Sequence, residues 1–405
     1  MAKNSNLSQA KSAKNDEFYT QYADIQKEIN AYIEYNPDVF RGKTILLPCD
    51  DPEWSNFTKF FAQNFEAFGL KKLISTSYAI ESKKYKTEWQ PTLFETENPN
   101  YDVDKTKTHG KIFTLTHDTN QNGRIDIDDL QWEYLEGDGD FRSKEVTALR
   151  DEADIIITNP PFSLFREFLA WIIEGEKQFL IIGNINAVTY KEVFPLIKEN
   201  KLWLGKGFTR SCAHFFSPNE SDSEYLELDR FNKLGIDVPK GLFVTRVAGI
   251  HWFTNLDHGR RHEPLKLMTM EDNLRFNKKL KGQNEYFHYD NYDAIEVPYT
   301  ECIPSDYEGI MGVPISFLDK YCPEQFEIMG STQRGCHDLV PDTKKYDDYW
   351  ECKPNGEKTG SSGGKTNENA NLLKNDGEHN YFENVDGRQI QSTYGRIFIR
   401  KKILK

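Results

Sequence analysis

A short apolar run, Ala153-Asp154-Ile155-Ile156-Ile157-Thr158, leads straight into Asn159-Pro160-Pro161-Phe162. A run of this kind forms a buried parallel strand. The two prolines then fix φ and remove backbone donors, so the chain leaves the strand stiffly with its carbonyls available. The residues that follow, Ser163-Leu164-Phe165-Arg166-Glu167-Phe168-Leu169, open an amphipathic helix. Strand, rigid turn and helix in this order belong to an α/β sheet, whose ligands bind at strand carboxyl ends. Asn159 offers a side-chain carbonyl and Pro160 a backbone carbonyl as convergent acceptors, which suits an exocyclic amine with two N–H groups. Phe162 supplies a flat apolar face for a ring to stack on. Together these residues describe a pocket for a planar amino-heterocycle such as an extruded adenine. The alternative is a rigid strand-to-helix turn, because Asn-Pro is a common turn signal.

The surrounding pattern alternates strands and helices. Thr44-Ile45-Leu46-Leu47-Pro48 reads as a strand, residues 54–68 have helical periodicity ending at Gly69, and Lys72-Leu73-Ile74-Ser75-Thr76-Ser77 reads as a second strand. Residues 155–158 and 179–183 add two more, which predicts a doubly wound, mostly parallel sheet. After about Gly205 the pattern loosens, so residues 1–205 are read as one domain and residues 206–405 as a second. Two segments look inserted. Residues 353–387, with Gly360-Ser361-Ser362-Gly363-Gly364, are expected to be a mobile loop. The other lies near 101–136, where residues 118–129 place oxygen-bearing side chains at positions 1, 3, 5, 9 and 12 of a calcium-loop template, with glycine at 6. Position 12 is Asp129 rather than glutamate, and an Asn-Gly hairpin turn is the competing reading.

With 405 residues the chain can bury a real core, and its six cysteines show no Cys-x-x-Cys pair. Scattered cysteines favour reduced thiols in a cytoplasmic setting. No apolar run reaches membrane-spanning length, and the polar start lacks the apolar core of a secretion signal. His251, His258 and His262 have loosely ligand-like spacing, but capped or exposed histidines are the commoner outcome. A net charge of −13 argues against a general polyanion binder. It leaves room for a site-specific enzyme with a basic cleft. Lys3, Lys11 and Lys14 stand in an acid-free N-terminal stretch. Between Arg260 and Lys281 seven cations, Lys278, Lys279 and Lys281 among them, face three acids. That segment is either a phosphate-contacting stripe or a solvated face.

Several further strings complete a pattern: Asp16-Glu17-Phe18-Tyr19-Thr20-Gln21, Cys49-Asp50-Asp51-Pro52 with Ser55-Asn56-Phe57, and Gly137-Asp138-Gly139-Asp140-Phe141-Arg142-Ser143. Others are Thr189-Tyr190-Lys191-Glu192-Val193-Phe194, Tyr289-Asp290-Asn291-Tyr292-Asp293-Ala294-Ile295 and Gly312-Val313-Pro314-Ile315. With residues 158–167, they resemble the EcoRI-type family of adenine-N6 DNA methyltransferases over nearly the whole chain, the two insertions apart. The resemblance implies a Rossmann-like methyltransferase sheet followed by a C-terminal target-recognition region. It also implies methyl transfer from S-adenosyl-L-methionine to a flipped adenine in double-stranded DNA. Asn159, Pro160, Pro161 and Phe162 would be the catalytic set, acting through orientation and electrostatics with no metal required.

By the same resemblance, Tyr19 and Thr20 would help hold the methionine end of the cofactor. Asp50 and Asp51 would accept from its α-ammonium group. Asp140 would accept from its adenine amine, with the Phe141 ring packed alongside. On residue type alone, each aspartate is equally a turn or cap residue. Two departures from the broader superfamily stand out. Ser55 and Asn56 replace the usual glycines of the first cofactor loop, and Ser75-Thr76-Ser77-Tyr78 replaces the usual acid after the second strand. The resemblance places the protein in a restriction-modification setting, with any cognate restriction endonuclease encoded separately and no membrane partner. Other functions compatible with the tetrapeptide are RNA or protein-glutamine N-methylation, and a non-catalytic DNA-binding module.

Overall fold

The computed structural model describes residues 19–50, 55–79, 96, 99–208, 212–217, 231, 233, 238, 243–332 and 344–402. It is a mixed α/β protein with several sheets, and it divides into two compact units. The first holds residues 1–185 and 203–259, the second residues 186–202 and 260–405.

The first unit begins with β1 (Tyr19–Thr20), α1 (Tyr22–Tyr35), β2 (Thr44–Leu47), α2 (Asn56–Gln63) and β3 (Lys72–Ser77). It continues with β4 (Lys111–Leu115), β5 (Gln131–Tyr134), α3 (Lys144–Glu152), β6 (Ile155–Thr158), α4 (Phe165–Glu174) and β7 (Gln178–Asn184). The strands β8 (Trp203–Leu204), β9 (Cys212–Ser217), β10 (Phe243–Ala248) and β11 (Ile250–Thr254) complete it. Eight of these strands form one sheet in the order β5-β4-β3-β2-β6-β7-β11-β8. Its centre, β3-β2-β6-β7, is parallel, and antiparallel pairs extend it on both sides.

Both faces of the parallel centre are covered, which is why Ile45, Leu46, Leu47, Ile155, Ile156 and Ile157 are all fully buried. Ile45, Leu47, Ile155, Ile157, Leu180 and Ile182 pack with Ile25, Ile29 and Tyr32 of α1 and with Phe57, Phe60 and Phe61 of α2. On the other face, a Cβ added at Gly183 would run into the Phe165 ring of α4. A second sheet, β1-β9-β10, is antiparallel. The helix expected over 54–68 breaks at Asn64 into Asn56–Gln63 and Phe65–Phe68. Ser55 caps the first of these by accepting from the Phe57 N–H at 3.1 Å.

The expected boundary near Gly205 is not where the units divide. Glu28 of α1 accepts at Oε1 from Lys206 N (2.8 Å) and Tyr32 Oη (2.9 Å), and at Oε2 from Gly207 N (3.0 Å). Burial pushes this carboxyl above its ordinary range. β11 then adds to β7, and residues 203–259 fall in the first unit. The segment near 101–136 is part of the main sheet, as its β4-β5 edge.

The second unit carries a four-stranded and a five-stranded sheet. β12 (Ala294–Glu296), β13 (Ile310–Pro314), β14 (Phe326–Ser331) and, at the end of the chain, Arg396–Lys401 make the first. A buried ion pair, Arg396 Nη2 to Glu296 Oε1 at 2.6 Å, joins two of its strands. The second sheet is made of β15 (Trp350–Cys352), β16 (Lys358–Ser362), β17 (Asn371–Leu372), β18 (Tyr381–Glu383) and β19 (Gln389–Ser392). The expectation of a mobile loop over 353–387 is therefore corrected, because three of these strands lie inside it. Tyr346, Tyr349, Phe382 and Ile390 form a small core there that the polar composition concealed.

No helix among the described residues is long and apolar enough to cross a membrane. Among the described residues, Cys49, Cys302, Cys322 and Cys352 are not joined in disulfides.

Candidate active site

β2 and β6 lie side by side and parallel, so their carboxyl ends deliver Asp50 and Asn159 to the same edge of the sheet. Tyr19, Thr20, Cys49, Asp50, Ser55, Phe57 and Asn159 line one small cavity there. Asp50 is buried and its Oδ1 accepts from the Ser55 hydroxyl at 2.7 Å. The Thr158 hydroxyl stands 2.5 Å from Oδ2. The Asp50 backbone carbonyl accepts from Ser75 Oγ and, at 3.3 Å, from Thr58 Oγ1. Cys49, just before it, adopts φ 78°, a left-handed turn that aims the next residues across the strand end.

Ser55 and Asn56, which stand where glycines were expected, both have polar work here. Ser55 joins Asp50 to the start of α2. Asn56 donates to the Thr20 carbonyl oxygen at 2.7 Å and holds β1 beside the cavity. β1 also pairs with β9, Tyr19 opposite Phe216 and Thr20 opposite Phe215. The Thr20 hydroxyl is buried and has no hydrogen-bond partner among the described residues. Leaving such a group without a partner costs about 1–3 kcal/mol, so it fits a polar ligand in this cavity. Asp51 and Phe18 lie outside the described residues, as do the lysines near Met1.

In the tetrapeptide, Pro161 O accepts from Leu164 N at 2.9 Å and opens a 3-10 turn over Phe162–Leu164, after which α4 begins. That interaction uses the second proline carbonyl. The Phe162 ring is half-buried and meets Phe215 edge-on, 6.2 Å between centroids at 70°. Phe208 and Trp252 stack nearby at 5.4 Å and 11°.

The Gly137–Ser143 string has a local explanation. Gly139 (φ +86°) passes so close to Ser77 at the end of β3 that any Cβ would overlap its carbonyl oxygen. The loop is tied down there by Ala79 N to Asp138 O at 2.8 Å. Asp140 Oδ1 accepts from Arg142 N and Nε, both at 2.9 Å, and Oδ2 from Nη2 at 2.6 Å. Burial raises its pKa, but bonds from the Arg142 side chain and Tyr78 outweigh that and hold it at about 2. Tyr78 is shifted upward, by burial and by its bond to Asp140. Phe141 differs from expectation. It is 1% exposed and packs edge-on against Phe168 (5.0 Å) and Trp171 (5.6 Å), so it anchors the loop in the core instead of presenting a face to a ligand.

Sequence reasoning missed Tyr78, Ser75 and Thr158 as site residues. The available signal was hydroxyl side chains at the ends of otherwise apolar buried strands.

Elsewhere, Lys278, Lys279 and Lys281 are exposed in the second unit, with Lys279 paired to Glu301 at 3.1 Å. Arg260 pairs with Asp319 at 2.8 Å. His258 Nε2 lies 3.1 Å from the Leu204 carbonyl and His262 pairs with Glu324 at 2.9 Å. In the segment 118–129, Asp118 accepts from Asn122 N and Gly123 N, and Asp129 accepts from Thr119 N, Asn120 N and Asp126 N. These carboxylates brace the connection between β4 and β5. Among the described residues, no group of three or more His, Cys, Asp or Glu is placed to hold a metal ion.

The mixed α/β sheet is consistent with a methyltransferase, and comparison with known proteins shows that class. The family model for the adenine-specific methyltransferase EcoRI matches residues 6–402, and the chain belongs to that family. It is 42% identical over 328 residues to the Type II methyltransferase M.EcoRI of Escherichia coli, covering 81% of this chain and 89% of that one. The Type II methyltransferase M.MpnI of Mycoplasma pneumoniae is 34% identical over 323 residues, covering 80% and 84%. M.MgeORF184P of Mycoplasma genitalium, also a Type II methyltransferase, is 36% identical over 323 residues, covering 80% and 85%. No solved structure matches the chain significantly.

Proposed function

We propose that this protein is a site-specific DNA adenine-N6 methyltransferase of restriction-modification type, acting on an adenine flipped out of the duplex. The observation that carries the reading is the meeting of Asp50, Asn159 and Thr20 around one cavity at the ends of β2 and β6, in a chain of this family. The parallel centre of the large sheet, covered on both faces, is the doubly wound Rossmann-like layer in this reading. The second unit, with its mixed four-stranded sheet and its antiparallel five-stranded sheet, is the target-recognition region in this reading.

S-adenosyl-L-methionine supplies the methyl group when bound. The Thr20 hydroxyl and the Asp50 carboxylate suit its amino-acid end, and Asp140, whose acceptor sites are taken by Arg142 and Tyr78, would receive an adenine amine in exchange for one of those bonds. Asn159 Oδ1 and Pro160 O accept the two hydrogens on N6 of the target base. Accepting both turns the amino group, leans electron density onto nitrogen, and leaves its lone pair facing the methyl donor. Phe162 stacks on the extruded ring. The base loses one N6 proton to solvent once nitrogen is methylated. A neutral nitrogen attacks and a neutral thioether departs, so the scheme creates no anion that a metal would have to stabilise. Lys278, Lys279 and Lys281 contact phosphate in this reading. The protein works in the cytoplasm, alongside a cognate endonuclease where one is encoded.

The test is transfer of labelled methyl to unmethylated genomic DNA, RNA and protein in parallel, followed by nucleoside digestion and modified-base sequencing. Label in N6-methyladenine at one short sequence supports the assignment. Label only in RNA or in protein glutamine overturns it.

A further inference from the structure

Thr158 is fully buried at the end of β6, one residue before Asn159. The residues before it, Ile155-Ile156-Ile157, are apolar, and valine would fill the same space with equal strand preference. The hydroxyl therefore has a directional role. β2 and β6 pair through Ile45↔Ile155 and Leu46↔Ile156. Carried forward, that register sets Thr158 opposite Pro48, which has no N–H with which to continue a ladder. There the Thr158 hydroxyl oxygen lies 2.7 Å from the Pro48 carbonyl oxygen and 2.5 Å from Asp50 Oδ2. One hydroxyl proton is shared between two acceptors on the segment leaving β2. Ser55 holds the other Asp50 oxygen at 2.7 Å.

We propose that Thr158 is a positioning residue whose hydroxyl takes over where the backbone ladder ends, fixing Asn159 and Pro160 relative to Asp50. The inference rests on the roles given above to Asn159 and Asp50. Through Thr158, the loop that receives the methyl donor and the loop that receives the target base are held as one piece. The Asn159 acceptors then need not find their position anew in each turnover.

The measurement is the single-turnover rate of methyl transfer to duplex DNA at saturating cofactor, with KM values and thermal melts, for Thr158→Val, Thr158→Ser and Asn159→Ala. Thr158→Val is expected to stay folded, keep both KM values within about threefold, and lose about tenfold to a hundredfold in rate, as a misplaced reacting group does. Thr158→Ser, which keeps the hydroxyl, is expected to recover to within about threefold of wild type. If Thr158→Val does not fold, Thr158→Ala is put through the same comparison. A wild-type rate without the hydroxyl, or a loss confined to KM, while Asn159→Ala is inactive, overturns the role of Thr158 alone. Wild-type activity in Asn159→Ala overturns the catalytic assignment beneath it.

Discussion

The side-chain amide of Asn56 donates to the Thr20 carbonyl oxygen at 2.7 Å, across 36 residues of chain. It reaches from the first turn of α2 to a strand of only two residues, Tyr19–Thr20. The contact holds β1, whose Tyr19 and Thr20 line the Asp50 cavity. Asn56→Ala is expected to leave the main sheet intact and to weaken S-adenosylmethionine binding by about 1 kcal/mol, the net worth of one such bond. Titration calorimetry measures this directly, and unchanged affinity would separate β1 from the cofactor site.

Asp140 yields a pH-dependent expectation. Its carboxyl titrates at about 2 in the folded protein against an ordinary 3.8. A depressed folded pKa means stabilisation that is complete above the ordinary value and disappears as pH falls toward 2. The Asp140 side chain is 19% exposed, so the contribution is on the order of 2 kcal/mol. Asp140→Asn should thus be less stable than wild type in denaturant at about pH 7, with the gap narrowing by about pH 3. A gap independent of pH would mean that the Arg142 contact contributes little through charge.

The cations of the second unit invite a salt titration. Replacing Lys278, Lys279 and Lys281 with Gln is expected to weaken binding to all duplex sequences alike. It should also flatten the salt dependence by about one unit of slope for each phosphate no longer neutralised. A changed methylation sequence would make this segment a base reader. No change at all would leave it a solvated face, in keeping with the Lys279–Glu301 pair.

Much of this site was legible in the sequence, for identifiable physical reasons. The parallel strands showed through because strands buried on both faces read as unbroken apolar runs, as in Ile155-Ile156-Ile157. The Asn-Pro-Pro-Phe turn was legible because proline acts locally. Other parts depended on partners far away in the chain. Nothing near Glu28 signals that its carboxylate receives Lys206 N and Gly207 N, so the unit boundary was set too early. Phe141 looked like a ligand-facing ring until Phe168 and Trp171 enclosed it. The strands within 353–387 were hidden because each is short and separated by glycine-rich turns, with Gly360 itself at φ +83° inside β16.

The most direct test concerns Asn159. Purified wild type and Asn159→Ala would be given labelled S-adenosylmethionine and unmethylated duplex DNA, with folding checked by thermal melt and duplex affinity by titration. Wild type is expected to form N6-methyladenine. Asn159→Ala is expected to form essentially none, with its melt and most of its DNA affinity retained, because Asn159 supplies an acceptor to the reacting amine. Methyl transfer by Asn159→Ala at the wild-type rate would contradict the assignment of the active site.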